Sequence, residues 1–218
     1  MAIPKLKLGV VTSQMFGENA YFAWREGQTD CLVVDPGLDT DQLLEFVRSY
    51  ELNVVAILNT HGHADHIAGN QCMKDQFPAA PLVIGKGDAE KLTNPSLNLS
   101  AQYGMGLVSP PADRLVSHGE RLQWAGIDLE VRDAPGHSAG HVVFVVAEDP
   151  PLVFGGDVLF RGSVGRTDFP DGDMDALALS IRQQLYTLPD DTVVLPGHGP
   201  PTDVGHEREH NPFVRDTE

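Results

Sequence analysis

Residues 60 to 66 read Thr-His-Gly-His-Ala-Asp-His and place four potential metal ligands within six positions. They directly follow an apolar run at residues 54–58, which is typical of a buried β-strand. Three imidazoles and a carboxylate this close together would compete for water, and any protonated pair would repel, unless a cation lay between them. The pattern His-x-His-x-Asp-His is restrictive, so it favours a metal site over a surface histidine cluster without a role.

Single ligand-type residues recur at the ends of three later apolar runs. His137 follows the run at 129–131, Asp157 the run at 151–154 and His198 the run at 192–195, each with a glycine directly before it. Glycine adopts backbone conformations that other residues avoid, so it permits a tight turn after a strand. We therefore expect four strand ends to converge on one rim of a sheet sandwich and to surround a pair of metal ions.

Together these residues resemble the metal-binding pattern of the metallo-β-lactamase-fold hydrolases, and most closely that of their glyoxalase II-like (hydroxyacylglutathione hydrolase-like) branch. The block Phe-Arg-Gly-Ser-Val-Gly-Arg-Thr-Asp-Phe-Pro at 160–170 is similar to one typical of the short members of that branch and of its persulfide dioxygenase relatives. The resemblance runs from about residue 9 to residue 212. It implies an α+β fold, a four-layer αββα sandwich.

The expected organisation is a single domain over residues 1–218, with a short polar C-terminal tail from about residue 205. The resemblance identifies this chain as a short form that lacks the helical C-terminal domain of full-length glyoxalase II. Strands are predicted at 6–11, 20–24, 31–34, 53–58, 82–84, 122–124, 128–131, 142–147 and 152–154. Helices are predicted at 39–50, 65–77 and 173–188, and a long loop with some helical turn at 93–111.

The resemblance also implies how the ligands divide between two metal ions. The seven ligands are His61, His63 and His137 for the first ion, Asp65, His66 and His198 for the second, and Asp157 as a bridge between them. Asp65 and Asp157 are the expected catalytic residues. Asp157 would position both metals, and Asp65 would orient the attacking water while serving only as a weak general base.

The chemistry of these donors restricts the metal. All are imidazole nitrogens or carboxylate oxygens, with no cysteine, and such sites suit Zn(II), Fe(II) or Mn(II). Zinc is preferred because hydrolysis needs a Lewis acid without redox chemistry. A water bound to two cations should lose a proton near neutral pH, since one zinc alone brings its pKa to about 7. The donor chemistry thus predicts a metal-bridging hydroxide that attacks an ester-type carbonyl carbon. The resemblance to glyoxalase II implies that the substrate is a thioester such as S-D-lactoylglutathione.

Two alternative functions remain open from the sequence. In the first, a single Fe(II) is held by His61, His137 and Asp157 and oxidises a thiol persulfide. In the second, the chain binds metal but acts as an interaction partner without turnover. The complete set of seven donors argues against the second alternative, because loss of catalysis should relax some of those positions.

Arg166 is the predicted substrate-binding residue. It lies where glyoxalase II-like enzymes often carry a basic contact to the glycine carboxylate of glutathione, whereas Asp168 takes a place where an aromatic donor is expected. One cation beside one anion predicts weak binding of glutathione thioesters, with broad acyl tolerance. In the alternative interpretation, Arg166 pairs with Asp168 and touches no ligand.

The composition of the chain restricts the classes of molecule that it can bind. The 218 residues include 15 Lys and Arg against 31 Asp and Glu, a net charge of −16 that repels nucleic-acid phosphates. Cys31 and Cys72 fall in apolar surroundings, which favours free thiols in a reducing compartment. The sequence has no signal peptide or transmembrane pattern. We expect a cytoplasmic enzyme of a small-molecule thioester, a monomer or small homo-oligomer without nucleic-acid or membrane partners.

Overall fold

Two six-stranded sheets pack face to face in the computed structural model, which describes residues 4–215. The first sheet consists, in spatial order, of β1 (Leu6–Thr12), β2 (Asn19–Arg25), β3 (Asp30–Val34), β4 (Asn53–Asn59), β5 (Leu82–Gly85) and β6 (Arg114–Val116). The strands of the second sheet are β7 (Arg121–Trp124), β8 (Ile127–Asp133), β9 (Val142–Val146), β10 (Leu152–Gly156), β13 (Val193–Pro196) and β14 (Thr202–Asp203). Their spatial order is β14-β13-β10-β9-β8-β7. A small hairpin, β11 (Leu159–Phe160) with β12 (Ser163–Val164), follows β10.

Helices cover the outer faces of both sheets. They are α1 (Thr40–Ser49), α2 (Ala64–Ile67), α3 (Asn70–Gln76), α4 (Met174–Ser180) and α5 (Val204–His210), with 3₁₀ turns at Lys86–Thr93 and Ser100–Tyr103. The first three pack on the first sheet, while α4 and α5 pack on the second. The predicted four-layer α+β sandwich is confirmed. No helix in the stretch from residue 4 to 215 is long and apolar enough to cross a membrane.

The central strands are apolar without interruption because both of their faces are buried. In β2, Tyr21 and Ala23 point into the layer between the two sheets, whereas Ala20 and Phe22 point toward the helices. The predicted free thiols are confirmed, with Cys31 buried on the helix side of the first sheet and Cys72 only partly buried against the same cluster. The apolar runs end where the buried strands end, and the predicted ligands lie directly after those ends.

The predicted helix over 65–77 is two helices, α2 and α3, separated at Gly69. The Gly69 amide donates to the carbonyl of Pro36 at 2.7 Å, outside the helix. A Cβ atom at this position would lie 2.7 Å from the Gly37 carbonyl oxygen, so the close approach requires glycine. The helix over 173–188 begins as predicted, with the Asp173 carboxylate accepting from the Ala176 amide at 2.9 Å, but its later part is a π turn, Ile181–Leu185.

The segment predicted as a polar tail begins with helix α5, which is tied to the second sheet. Glu207 is fully buried, and its carboxylate accepts from Thr202 at 2.6 Å, from the Gly162 amide at 3.0 Å and from Asn211 at 2.9 Å. These polar groups satisfy one another, which is why a sequence with few apolar residues can pack there. Residues 216–218 of the predicted tail, like residues 1–3, lie outside the described residues.

Candidate metal centre

The predicted ligands converge at one rim of the sandwich, as their positions after strands require. His61 and His63 follow β4 of the first sheet, and helix α2 carries Asp65 and His66 directly after them. His137, Asp157 and His198 follow β8, β10 and β13 of the second sheet. Since β10 and β13 are parallel neighbours, their carboxyl ends lie at the same edge.

Among residues 4–215, three groups of three potential donors form around this rim. Within each group, one ligand-type atom per residue lies within 4.8 Å of the others. Two of the groups, His61 with His63 and His137, and Asp65 with His66 and His198, coincide with the two ligand sets that the sequence predicts. The third, Asp35 with His61 and His66, shares one histidine with each of them. In the first group, His63 Nδ1 and His137 Nε2 are only 2.9 Å apart.

Asp157 lies between the two groups. One of its oxygens, Oδ2, is 3.5 Å from Nε2 of His137 in the first group and 3.5 Å from Nε2 of His198 in the second. Its other oxygen, Oδ1, is 3.5 Å from Nε2 of His66. The side chain is mostly buried, and its backbone amide donates to Nε2 of His141 at 3.1 Å. Through this bond His141 holds the backbone of Asp157.

Three histidines are oriented by bonds at the ring nitrogen that faces away from the cluster. His66 Nδ1 lies 3.2 Å from Asp35 Oδ2, and His137 Nδ1 lies 2.8 Å from the carbonyl oxygen of Arg166. His61 Nδ1 lies 3.1 Å from the Thr60 hydroxyl, which itself donates to Asp35 at 2.7 Å. An acceptor at Nδ1 places the proton there and leaves Nε2 with a free lone pair, the arrangement seen around metal-binding histidines.

Electrostatics favour a cation at the rim. Burial lowers the pKa of His61 and His63, that of His63 to about 3, so both imidazoles are in the neutral form that binds metals. Burial also acts to lower the pKa of His66, but the carboxylates of Asp65 and Asp157 outweigh it and raise that pKa well above its ordinary value. The second group thus attracts positive charge, which a metal ion would supply in place of a proton.

Several atoms aimed into the cluster have no hydrogen-bond partner among the described residues. They are buried and polar, and include His61 Nε2, His66 Nε2 and Asp157 Oδ1. A buried polar atom without a partner is costly, and such atoms cluster where an ion belongs. Gly197 leaves room for them, since a Cβ at that position would lie 2.2 Å from Asp157 Oδ1 and 2.6 Å from His66 Cε1. The residues present therefore fit a pair of divalent ions.

Asp35 is a functional residue that the sequence interpretation missed. Its buried carboxylate accepts from the Thr60 amide and hydroxyl, both at 2.7 Å, and contacts His66. The sequence does mark this position. Asp35 directly follows the apolar run of β3 and lies two residues before Gly37, much as the candidate ligands after other strands lie beside glycines. It orients histidines of both donor groups.

Asp88 is a second residue that was missed, and no sequence pattern marks it. Its fully buried carboxylate accepts from the Gly62 amide at 2.8 Å, the Ser138 hydroxyl at 2.7 Å and the Gly140 amide at 2.8 Å. Lys91 Nζ lies 3.2 Å away and neutralises it. Gly62 separates His61 from His63, and Ser138 follows His137, so Asp88 joins the two loops that carry the first donor group.

We expect Asp88→Asn to destabilise the protein and loosen the first metal. The amide cannot accept all of these bonds, and Lys91 loses part of its compensation, which costs about 3 kcal/mol for a broken buried ion pair. A loss of this size lowers the melting temperature of a protein this long by roughly 6–12 °C. Metal affinity should fall about 10- to 100-fold, as when other groups that orient ligands are removed.

The matched control is Asp75→Asn, which removes an equal charge from an exposed helix position. Thermal melting and metal titration of both variants provide the measurement. If Asp88→Asn melts and binds metal like the Asp75 variant, Asp88 does not position the ligand loops.

Comparison with known proteins places this arrangement in a family. A family model described as the metallo-beta-lactamase superfamily matches residues 15–198. The chain belongs to that superfamily. The family predicted from the strand-end ligands is thus confirmed, and the αββα sandwich is the metallo-beta-lactamase fold.

Similar proteins are named as metal-dependent hydrolases. A probable metallo-hydrolase, YqgX, of Bacillus subtilis is 39% identical over 197 residues, which are 90% of this chain and 92% of that protein. Hydroxyacylglutathione hydrolase GloC of Haemophilus influenzae is 33% identical over 212 residues, 96% of this chain and 98% of that protein. The chain is accordingly a metallo-hydrolase of the metallo-beta-lactamase superfamily.

Solved structures agree on the fold. The BLEG-1 B3 metallo-beta-lactamase superposes with a TM-score of 0.91 at 33% identity, over 95% of this chain and 99% of that one. TTHA1623 in a di-iron-bound form superposes with a TM-score of 0.81 at 37% identity, over 94% and 100%. ETHE1 from Myxococcus xanthus superposes with a TM-score of 0.80 at 25% identity, over 97% and 86%. The family and the donor clusters imply divalent metal ions.

Proposed function

We propose that this metallo-beta-lactamase-fold protein is a binuclear thioester hydrolase. The observation that carries the proposal is the pair of three-donor groups joined by the carboxylate of Asp157. In this assignment one ion is held by His61, His63 and His137, the other by Asp65, His66 and His198, and both by Asp157. The donor chemistry favours Zn(II), with Fe(II) and Mn(II) as substitutes.

When bound, such a pair of ions supplies a water of lowered pKa and a Lewis acid for the acyl oxygen. The chain itself orients these partners. Asp65 Oδ2 lies 3.3 Å from His198 Nε2 and its side chain is partly exposed to the cavity, so it accepts a hydrogen bond from the attacking water and aligns it. Water oxygen adds to the carbonyl carbon and the carbon–sulfur bond breaks. One proton of the water passes to the leaving sulfur and the other to solvent, so the products are a carboxylate, a thiol and a proton.

Support for a thioester comes from the likeness to hydroxyacylglutathione hydrolase GloC over nearly the full length of both chains. Part of the 160–170 block that the sequence analysis singled out lies at the candidate site, since Phe160, Ser163, Arg166 and Phe169 line the cavity beside the donors. The likeness favours S-D-lactoylglutathione or a related acyl thioester as the substrate.

A second candidate function is the oxidation of a thiol persulfide at a single Fe(II) held by His61, His137 and Asp157. The observation in its favour is the likeness to ETHE1 from Myxococcus xanthus. A protein 37% identical to this chain binds iron, although as a pair of ions. The geometry argues for two ions, since Asp65, His66 and His198 form a second complete group.

One assay separates these candidates. The zinc-loaded protein is given S-D-lactoylglutathione and an acyl thioester of N-acetylcysteamine, and free thiol is followed; the iron-loaded protein is given glutathione persulfide, and dissolved oxygen is followed. We expect one thiol per thioester cleaved and no oxygen consumption. Oxygen uptake with persulfide, together with intact thioesters, would replace the proposal with the iron dioxygenase.

A further inference from the structure

A cavity of about 360 Å³ opens over the two donor groups, with His63, Asp65, Asp157 and His198 at its base. Its walls are mainly apolar. The side chains that form them are Phe16, Leu99, Tyr103, Met105, Phe160 and Phe169. A substrate whose carbonyl reaches the metal centre must pass its substituents along these walls.

Two loops supply the outer wall and leave large apolar side chains open to solvent. Phe16, from the turn after β1, meets Tyr103 edge to face, with ring centroids 6.1 Å apart. Tyr103 is 58% exposed and Met105 is 39% exposed. An apolar substituent that covers this surface removes it from water, which lowers the free energy of the complex and favours binding.

The loop that carries Tyr103 and Met105 is fixed to the metal centre. Asn98 is fully buried, and its side-chain amide donates to the carbonyls of Lys91 and Leu107, each at 3.0 Å. Its backbone carbonyl accepts from the Ala64 amide at 2.9 Å, at the first residue of the helix that bears Asp65 and His66. The apolar wall is thus held in register with the ligands, as a substrate-selecting surface must be.

Away from the two donor groups, the walls of this cavity offer little to an anionic substrate. Arg166 is the cation among its lining residues, and its guanidinium makes a bidentate pair with Asp168, with both contacts at 2.7 Å. The guanidinium also lies over the Phe169 ring at 4.4 Å. Lys91 does not line the cavity, and it is buried and paired with Asp88 and Asp171. Asp168 neutralises Arg166 and occupies the Nε and Nη2 edge of its guanidinium, so a carboxylate of glutathione would meet a cation that is already paired.

We infer that this site selects acyl thioesters whose substituents are uncharged and apolar, with Tyr103 and Met105 as the residues that recognise them. The inference rests on the proposed thioesterase function and restricts its substrates, since it places S-D-lactoylglutathione among the weaker acyl thioesters and uncharged ones among the better. It also gives Asp168 a role, because the carboxylate that neutralises Arg166 disfavours substrates that carry their own carboxylates.

The first test is a chain-length series. Acetyl, butanoyl and hexanoyl thioesters of uncharged N-acetylcysteamine are compared with the zinc-loaded protein. We expect kcat/KM to rise about two- to fourfold for each methylene that becomes buried. The double variant Tyr103→Ser, Met105→Ser should flatten this rise. Leu115→Ser, which removes an apolar side chain 46% exposed on strand β6, should keep it. A flat series with the wild-type protein would overturn the inference.

The second test concerns charge. With the hexanoyl group fixed, the wild-type protein should prefer the N-acetylcysteamine carrier to glutathione. Asp168→Asn should lower the KM for the glutathione thioester about two- to fivefold, the range of an exposed ion pair, and leave the KM for the uncharged carrier unchanged. A wild-type preference for glutathione would overturn the inference.

A binding measurement separates failure of this inference from failure of the proposed function. Hexyl and ethyl thioethers of N-acetylcysteamine, which cannot be hydrolysed, are titrated into the zinc-loaded protein by calorimetry. Tighter binding of the hexyl compound, lost in the Tyr103, Met105 double variant, supports apolar selection even if no thioester is cleaved. Equal binding of both compounds contradicts it even if thioesters are cleaved.

Discussion

Asp157→Ala is expected to abolish thioester hydrolysis while leaving the fold intact. Removal of one group that is preorganised around developing charge costs about 100- to 1,000-fold in kcat. Asp157 lies 3.5 Å from imidazole nitrogens of both donor groups, so its loss disturbs both metal positions at once. We therefore expect a fall in kcat of about 1,000-fold or more, measured as thiol release under saturating substrate.

The matched control for this variant is Asp128→Ala, which removes the same carboxylate from an exposed position on β8. Circular dichroism should show the same fold in both variants. An Asp157→Ala protein that binds two metals and retains a tenth of the wild-type kcat would show that Asp157 does not join the two sites.

The second large expected effect is the loss of one of the two metal ions when a single ligand of one donor group is removed. His198→Ala should reduce the metal content from two ions to about one per chain, because Asp65 and His66 then remain as the only unshared donors of that group. His61→Ala should instead empty the site formed with His63 and His137. Elemental analysis of both variants after dialysis against metal-free buffer provides the measurement.

The two variants differ in the expected effect on the stability of the fold. His198 is partly exposed, with 29% of its side chain accessible, so truncation there should leave the fold unchanged. His61 is fully buried, and its variant also requires a thermal melt to exclude unfolding. If both variants kept two ions, the assignment of the two groups would be wrong.

The ligand positions could be predicted because each depends on local sequence alone. A buried strand appears as an uninterrupted apolar run, and the glycine after it marks the turn that aims the next side chain at the rim, as at Gly156-Asp157 and Gly197-His198. The positions of the helices followed for similar reasons, because α1 carries a regular apolar stripe and α4 begins at a capping aspartate.

The groups that support the ligands could not be predicted, because they act through the fold. Asp88 lies in an irregular 3₁₀ segment, and only tertiary packing brings its carboxylate to the loops of His61 and His137. The break at Gly69 depends on a backbone contact with Pro36, 33 positions earlier in the printed sequence. Helix α5 depends on the buried hydrogen bonds of Glu207. Because the segment contains few apolar residues, its hydrophobicity predicts an exposed tail instead.

The structure settles how Arg166 is paired. The sequence alone left open whether this arginine contacts substrate or pairs with Asp168. In the structure the pair is present and bidentate, at the mouth of a cavity with apolar walls. Arg166 resembles a glutathione contact, but its pairing with Asp168 is the reason to expect a preference for uncharged thioesters.

The metal content of the wild-type protein tests the binuclear site most directly. Protein purified without added metal, and then reconstituted with excess Zn(II) and dialysed, is analysed for divalent metals by mass spectrometry. The two donor groups joined by Asp157 predict two ions per chain, with zinc accepted at both sites. A content that stays at one ion per chain in every metal-replete preparation, with iron as that ion, would contradict the binuclear hydrolase.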